Sequence, residues 1–422
     1  WERELSSFRG LPVPAAIFQH TFPNDLTLLA ERMDHVRSAA VNFLVPAGCV
    51  YDPPEQAGVS SILADLITRG AGGRDSRALT LALDNLGLDR SETVGSFHTR
   101  FYGATLARNL TSALEVYADI LLRPHLPAEE LDPVKSLALQ DLAGLEDEPR
   151  QKILIELKKR HYPSPLSNDR RGTAEGINAV TAQSVRKHYE RLFRPAGTIL
   201  SVAGNIEWEP LRQQVGRLFG EWKGGSVPPI QAGPSRAGVE HIHKDATQTQ
   251  IGIAYPSVPI GDADYYAALG AVNVLSGGMS SRLFTEVREK EGLCYAVWAT
   301  YQTFKDRASV IAYAGTTTKR AQETLDVTLR ELKRLREGIE DDEVERVRAG
   351  LKSSLIMQEE STSARAGSLA SDWYYLGRVR TTEEIQAAID GLTPKSILSH
   401  LERAPAKDFT IVTLGAEPLK VV

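Results

Sequence analysis

Apolar positions along this chain follow two periods, one of about two residues and one of about 3.6, and they predict alternating strands and helices. Residues 26–31 and 38–45 read as two strands around a polar turn at Asp34-His35, with Val41, Phe43 and Val45 alternating as in a half-buried strand. Ala47-Gly48 and Pro53-Pro54 break the pattern, and Gly58 opens a helix. In that helix Val59, Ile62, Leu63, Leu66 and Ile67 make one apolar stripe, and Ser61, Ala64, Asp65 and Thr68 lie on the neighbouring face. Gly70, Gly72 and Gly73 end it. They are not a phosphate loop, because no Gly-Lys-Ser/Thr follows and no strand precedes them. A strand at 97–106 and a helix at 110–122 come next, stopped by Pro124 and Pro127 ahead of a helix that carries Asp141. Residues 197–204 read as a buried strand and 208–219 as a helix.

The segment KGGSVPPIQAGPSRAG, 223–238, has no periodicity and is rich in Gly, Pro and Ser, so it is expected to be a linker. Beyond it the plan repeats. GIAYPSV is a strand, 265–275 a helix, 295–301 and 309–314 strands, and 319–338 and 341–358 long helices. HLPAEELDPVKSLALQDL before the linker parallels GIEDDEVERVRAGLKSSL after it, each with an acidic helix start. A duplication on this scale predicts an α+β fold of two similar halves, 1–222 and 239–422.

The stretch LSGGMSSRLFTEVREKEGLCY, 275–295, concentrates the candidate chemistry. Gly277-Gly278 is free to take backbone angles other residues avoid. Ser280 or Ser281 is placed to cap a helix containing Leu283, Phe284, Val287 and Arg288, which Gly292 ends before a strand starts at Cys294-Tyr295. Arg288 and Tyr295 stand seven residues apart and could aim a guanidinium and a phenol at one point. On spacing alone the plain reading is a surface ion pair for Arg288 and a core position for Tyr295.

This stretch resembles the second-half signature of the pitrilysin/insulinase family of zinc metallopeptidases, in which an Arg and a Tyr seven residues apart follow a Gly-rich loop. The resemblance extends over nearly the whole chain, from about Asn24 to Ala416, and implies two homologous halves, each an antiparallel sheet with helices packed on one face, joined by a linker. It also implies that Arg288 and Tyr295, beside Gly277 and Gly278, bind substrate backbone against a zinc site in another half. The family's inverted zinc motif, H-x-x-E-H, supplies two imidazoles one helical turn apart with a general base between them. Aligned on GVSSILADLITRG, it puts Ser61 and Asp65 at the two His positions and Ala64 at the base. The third ligand falls on Asp141, 76 residues after Asp65, and a supporting Glu falls on Val134.

Zinc at such a site needs two neutral imidazoles and a carboxylate, whereas this chain offers a hydroxyl and two short carboxylates. Ala64 has no group to take a proton from bound water. Asp141 shares a helix face with Val134, Leu137 and Ala138, so it is expected to point inward and to bond a protein donor rather than a metal. A hard-cation site on Asp65 and Asp141 is the alternative. None of the nine histidines pairs at zinc-motif spacing, and His98 and His125 read as ordinary polar residues.

Composition narrows the rest. At 422 residues the chain exceeds one core, and its 42% hydrophobic and 24% charged content is that of a globular protein. A net charge of -5 leaves no basic footprint for nucleic acid, and no apolar run reaches the roughly 18 residues of a membrane span. Cys49 and Cys294 are expected to be buried free thiols. The chain begins at Trp1 and not Met, so an upstream segment is expected to be missing; the compartment is expected to be aqueous, cytoplasmic or periplasmic. Chains of this length in the family usually pair. The expectation is therefore a non-catalytic, substrate-clamping subunit that binds no zinc itself and partners a homologous H-x-x-E-H chain, with a homodimer possible in isolation. The alternative is a proteolytically silent structural or assembly protein of the same fold.

Overall fold

The computed structural model describes residues 16–421, so residues 1–15 of the expected first half and Val422 of the second lie outside the described residues. The first sheet has six strands: β1 (Ala16–Thr21), β2 (Thr27–Arg32), β3 (Ser38–Val45), β4 (Asp89–Val94), β5 (Thr99–Leu106) and β6 (Ile199–Gly204). The second has five: β7 (Gly238–His243), β8 (Gln248–Ser257), β9 (Cys294–Thr303), β10 (Ala308–Thr317) and β11 (Thr410–Gly415). Their orders, β1-β2-β6-β3-β5-β4 and β7-β11-β8-β10-β9, coincide once β1 is set aside. Even the exceptions match: each sheet is antiparallel apart from one parallel pair, β2 with β6 and β7 with β11. This repeat is what the duplicated sequence pattern predicts. Residues 223–237 between the sheets form no helix or strand.

One face of each sheet packs on helices of its own half. Phe43 and Phe101 of the first sheet meet Ile62 and Leu66 of the helix Val59–Leu66, Tyr117 of Leu110–Leu122 and Phe219 of Trp208–Phe219 in one core. Ile251, Ile253 and Ala312 of the second sheet meet Leu275 of Tyr265–Ser276, Leu325 of Ala321–Arg334 and Ile397 of Pro394–Arg403.

The opposite faces are also covered, each by a helix from the other half. Thr362–Leu376 lies across β2, β3 and β6, seating Leu369 and Ala370 on Leu29 and Ile199. There Arg365 and Glu31, both buried, form an ion pair with Nη2–Oε2 2.7 Å, and Ser201 Oγ donates to the Ala366 carbonyl at 2.6 Å. In return Pro149–His161 lies on β8 and β11, with Ile153 and Leu157 against Ala254, Tyr313 and Val412. Gly252 admits this helix closely, since a Cβ there would stand 3.3 Å from Leu157 and 3.4 Å from Ile153. The one-face expectation therefore describes only half of the packing. All strand positions of β6 and β11 are buried, which requires helices on both sides.

At the end of the returning helix, His161 is fully buried, with Nδ1 2.8 Å from Thr410 Oγ1 and Nε2 2.7 Å from Ser309 Oγ. Thr410 Oγ1 donates onward to the Arg236 carbonyl, so it accepts from Nδ1–H and leaves Nε2 as the acceptor. Burial lowers the His161 pKa to about 4. The folded-state value thus lies below the unfolded one of roughly 6.5. Below that value the unfolded chain takes up a proton that the folded chain refuses, so stability falls as pH drops from about 6.5 towards 4. At about pH 5 the expected loss from this residue is about 2 kcal/mol. His161→Gln keeps a donor and an acceptor without the titration. Denaturant melts of both proteins at about pH 7 and 5 should show a smaller acid loss in the variant, and equal losses would contradict this account.

Candidate functional site

The helix Val59–Leu66 starts from Gly58, whose φ of +104° suits glycine, and the buried Asp52 accepts from amides at its start that have no helical partner, Gly58 N at 2.9 Å and Ser60 N at 3.3 Å. This fixes the face on which Ser61, Ala64 and Asp65 sit. Ser61 Oγ donates to the Arg170 carbonyl at 2.7 Å. Ala64 packs with Cys49 and Val94. Asp65 accepts from Arg69 Nε at 2.9 Å, and Arg69 also reaches Glu130 at 3.4 Å.

Asp141, on the helix Leu131–Gly144, pairs with Arg171 at 3.0 Å. Its side chain is 59% exposed, so the inward orientation expected for it is incorrect. Leu137 is likewise exposed, whereas Val134 enters the core and Ala138 packs partly buried against it. The face seemed inward because the low periodicity of LALQDLAG does not distinguish its two sides. An open cleft of about 490 Å³ fronts the helix, lined by Ser61, Asp65, Arg69, Arg90, Glu92 and Arg170.

These residues do not fit zinc. The hydroxyl at Ser61 is held by a backbone carbonyl, and both carboxylates at ligand positions are neutralised by guanidinium groups. Among the described residues no group of three or more His, Cys, Asp and Glu side chains is placed to hold a metal ion.

The Gly-rich loop lies in the other half. Gly277 has φ -78° and ψ 0°, open to any residue, and neither Gly277 nor Gly278 has positive φ. The expectation of special backbone angles is therefore corrected. What Gly277 supplies is room, since a Cβ would stand 2.5 Å from the Asn273 carbonyl oxygen, whereas Gly278 faces open space. Ser281 does not cap the following helix; its Oγ donates to the Gly278 carbonyl at 2.6 Å and closes a turn, and Ser280 supplies no cap bond either. Met279 at the tip is exposed.

The segment Phe284–Lys290 is a wide, π-type helix that buries Val287 and leaves Arg288 exposed. Arg282, just before it, anchors the segment by two bonds to Glu343 at 2.7 and 2.6 Å and one to the Gly338 carbonyl at 2.7 Å. The Arg288 guanidinium lies over the Phe284 ring at 4.8 Å and, among the described residues, makes no ion pair. Gly292, at φ +59°, ends the helix in the left-handed region. Burial pushes the neighbouring Cys294 thiol up to about 11, opposed by the charge of Arg288. Cys294 is only partly buried, unlike Cys49; both are free.

Tyr295 occupies a β-bulge. Opposite β10, Gly315 pairs with Ala296 and Thr316 with Cys294, so Tyr295 is the extra residue. Its ring is 47% exposed rather than in the core. Its hydroxyl lies 3.1 Å from Gln248 Oε1 and 3.2 Å from Gln250 Nε2, and Tyr313 Oη lies 2.6 Å from Gln250 Oε1. Glycine at 315 is a steric requirement, because a Cβ would stand 2.4 Å from the Tyr295 hydroxyl. Arg150, from the helix of the first half, stacks over Trp298 and Tyr313 at 5.5 and 5.4 Å. The segment Phe284–Lys290 packs on β9, and Arg288 at the end of the one and Tyr295 at the start of the other are both exposed. Gln248, Gln250, Tyr313, Gly315 and Arg150 escaped the sequence reading. The signal for two of them was the alternation in TQTQ, just ahead of the strand assigned from residue 252.

The architecture defines a class: a duplicated α+β protein with the helix Val59–Leu66 fronting an open cleft in one half and a Gly-rich loop in the other. Residues 27–174 match the family described as Insulinase (Peptidase family M16), and 179–351 match Peptidase M16 inactive domain. The chain belongs to the peptidase M16, or insulinase, family. It is similar to an uncharacterized zinc protease of Rickettsia felis, 26% identical over 94% of this chain and 97% of that one. It is also similar to an uncharacterized zinc protease of Bacillus subtilis, 27% identical over 94% and 98%. Two solved structures share the fold. A peptidase M16 inactive domain from Pseudomonas fluorescens matches with TM-score 0.87 at 20% identity over 96% of this chain and 99% of its own. A protease from Helicobacter pylori matches with TM-score 0.86 at 18% identity, over 95% and 100%. Among the described residues no helix is long and apolar enough to cross a membrane.

Proposed function

We propose that this chain is the non-catalytic, substrate-binding subunit of a two-chain zinc metallopeptidase. A homologous chain with an intact H-x-x-E-H motif supplies the metal, and Arg288 and Tyr295 hold peptide backbone in that chain's site. One contrast carries the reading: Asp65 and Asp141 are each engaged by an arginine, while Arg288 and Tyr295 are exposed at the corner where Phe284–Lys290 packs on β9. A purely structural chain has no use for that corner. Co-expression with an H-x-x-E-H homologue from the same genome tests the proposal. A co-purifying pair that cleaves peptides, where neither chain alone does, is expected. A pair that forms but cleaves no better than the zinc-bearing chain alone would favour the silent structural protein.

The metal half of the proposal has its own outcome. After dialysis against micromolar zinc, elemental analysis of the purified chain should find far less than one zinc per chain. Near-stoichiometric zinc that disappears in Asp65→Ala would overturn it. Ser61→His, Ala64→Glu, Asp65→His and Asp141→Glu are expected to be needed together for hydrolysis, since ligands and base act as one unit.

A further inference from the structure

Arg150 is an exposed cation that, among the described residues, has neither a carboxylate nor a hydrogen-bond acceptor, yet it is not loose. Glu146, four residues earlier, is taken by Lys152 at 2.5 Å. Arg150 stands in the first turn of Pro149–His161, the helix that the first half lays on the second sheet. Its guanidinium lies over Trp298 and Tyr313, at 5.5 and 5.4 Å from the ring centroids. The two rings belong to paired residues of β9 and β10 and stack with centroids 5.5 Å apart and planes 28° from parallel. A cation held by ring faces spends none of its five N–H donors, so the stack fixes its place and leaves its bonding free.

The Tyr313 hydroxyl leads from this cation to Tyr295. A Cβ at Gly315 would stand 2.4 Å from the Tyr295 hydroxyl and 2.6 Å from that of Tyr313, so both oxygens gather on one face of the sheet. Gln250 bonds the two, Tyr313 at 2.6 Å and Tyr295 at 3.2 Å. Trp298 follows Tyr295 by three residues on β9, roughly 10 Å along an extended strand. The unpaired guanidinium is thus on the same face as Tyr295, about a tripeptide's length away.

We infer that Arg150 is a specificity-determining residue, which selects peptides carrying a carboxylate about three residues from the one held at Tyr295. The carboxylate is an Asp or Glu side chain or a free C-terminus; either offers two oxygens to the fork of N–H groups. The inference rests on the reading that Tyr295 touches substrate, and adds that the substrate is acidic. It also gives the crossing of Pro149–His161 onto the second sheet a use beyond packing, since the first half thereby supplies a side chain beside the Tyr295 face.

Steady-state kinetics of the reconstituted pair on blocked octapeptides test it. One set places Glu or its neutral isostere Gln at each position in turn, and a second compares a free with an amidated C-terminus. At one position, or at the free C-terminus, kcat/KM should be about three- to tenfold higher for the acid. That preference should shrink as salt is raised. Arg150→Gln should abolish it and Arg150→Glu should invert it, whereas Arg150→Lys, with charge but no planar fork, should keep part of it. A ratio between two peptides on one enzyme cancels any loss of folded protein. If the native pair shows no preference for the acid, or one that survives Arg150→Gln, while Arg288→Ala still lowers cleavage of every peptide, the carboxylate subsite is overturned and the clamp stands. If no active pair forms, or an active pair is indifferent to Arg288→Ala, the reading beneath fails and the subsite falls with it.

Discussion

Arg288→Ala should lower kcat/KM of the reconstituted pair about ten- to 150-fold, because a hydrogen bond from a charged donor is worth roughly 1.5–3 kcal/mol. The chain itself should hardly notice. Among the described residues Arg288 makes no ion pair, and its contact with Phe284 is an exposed cation–π pair worth about 0.5–1 kcal/mol. Where the loss falls tells what the guanidinium does. A donor that strengthens as a carbonyl becomes an oxyanion lowers kcat, whereas one that only positions peptide raises KM. Arg288→Lys keeps the charge but not the planar fork, so it should recover only part of the activity. Assembly of each variant is checked by size-exclusion chromatography. Full activity in an intact Arg288→Ala complex would end the clamp and leave the structural protein.

Arg365→Ala should be the most damaging single change to stability. Glu31 and Arg365 are 4% and 2% exposed, and they meet across the seam between the first sheet and the helix of the second half. Removing the guanidinium leaves a buried carboxylate uncompensated, at a cost of about 3–5 kcal/mol. Attraction between the two charges is not what makes the pair matter, since two buried ions gain little over well-packed apolar groups. The double variant Glu31→Leu, Arg365→Met should therefore be much closer to the native protein than either single variant. Thermal melts compare them, and a double variant at least as unstable as Arg365→Ala would refute this account. Because the seam joins the halves, the loss should appear in the first transition of the melt.

Much of this molecule is determined locally. The strands and helices of both halves, the sheet repeat and the helix that ends at Gly292 follow from alternation, helical stripes and breakers that act over a few residues. So does the poor fit of this helix to zinc, because no packing turns Ser61 and Ala64 into an imidazole and a base. Other features depend on residues hundreds of positions apart. Pro149–His161 and Thr362–Leu376 are buried only because the opposite half supplies a sheet for each to cover and, for Arg160 and Arg365, a carboxylate to meet, Glu240 and Glu31. Asp141 looked inward from its helix face, yet Arg171, thirty residues later, holds it at the surface. The sequence alone determined that Arg288 and Tyr295 stand where a helix gives way to a strand. Only the tertiary structure decided that Tyr295 leaves the core, because a bulge re-aims its side chain.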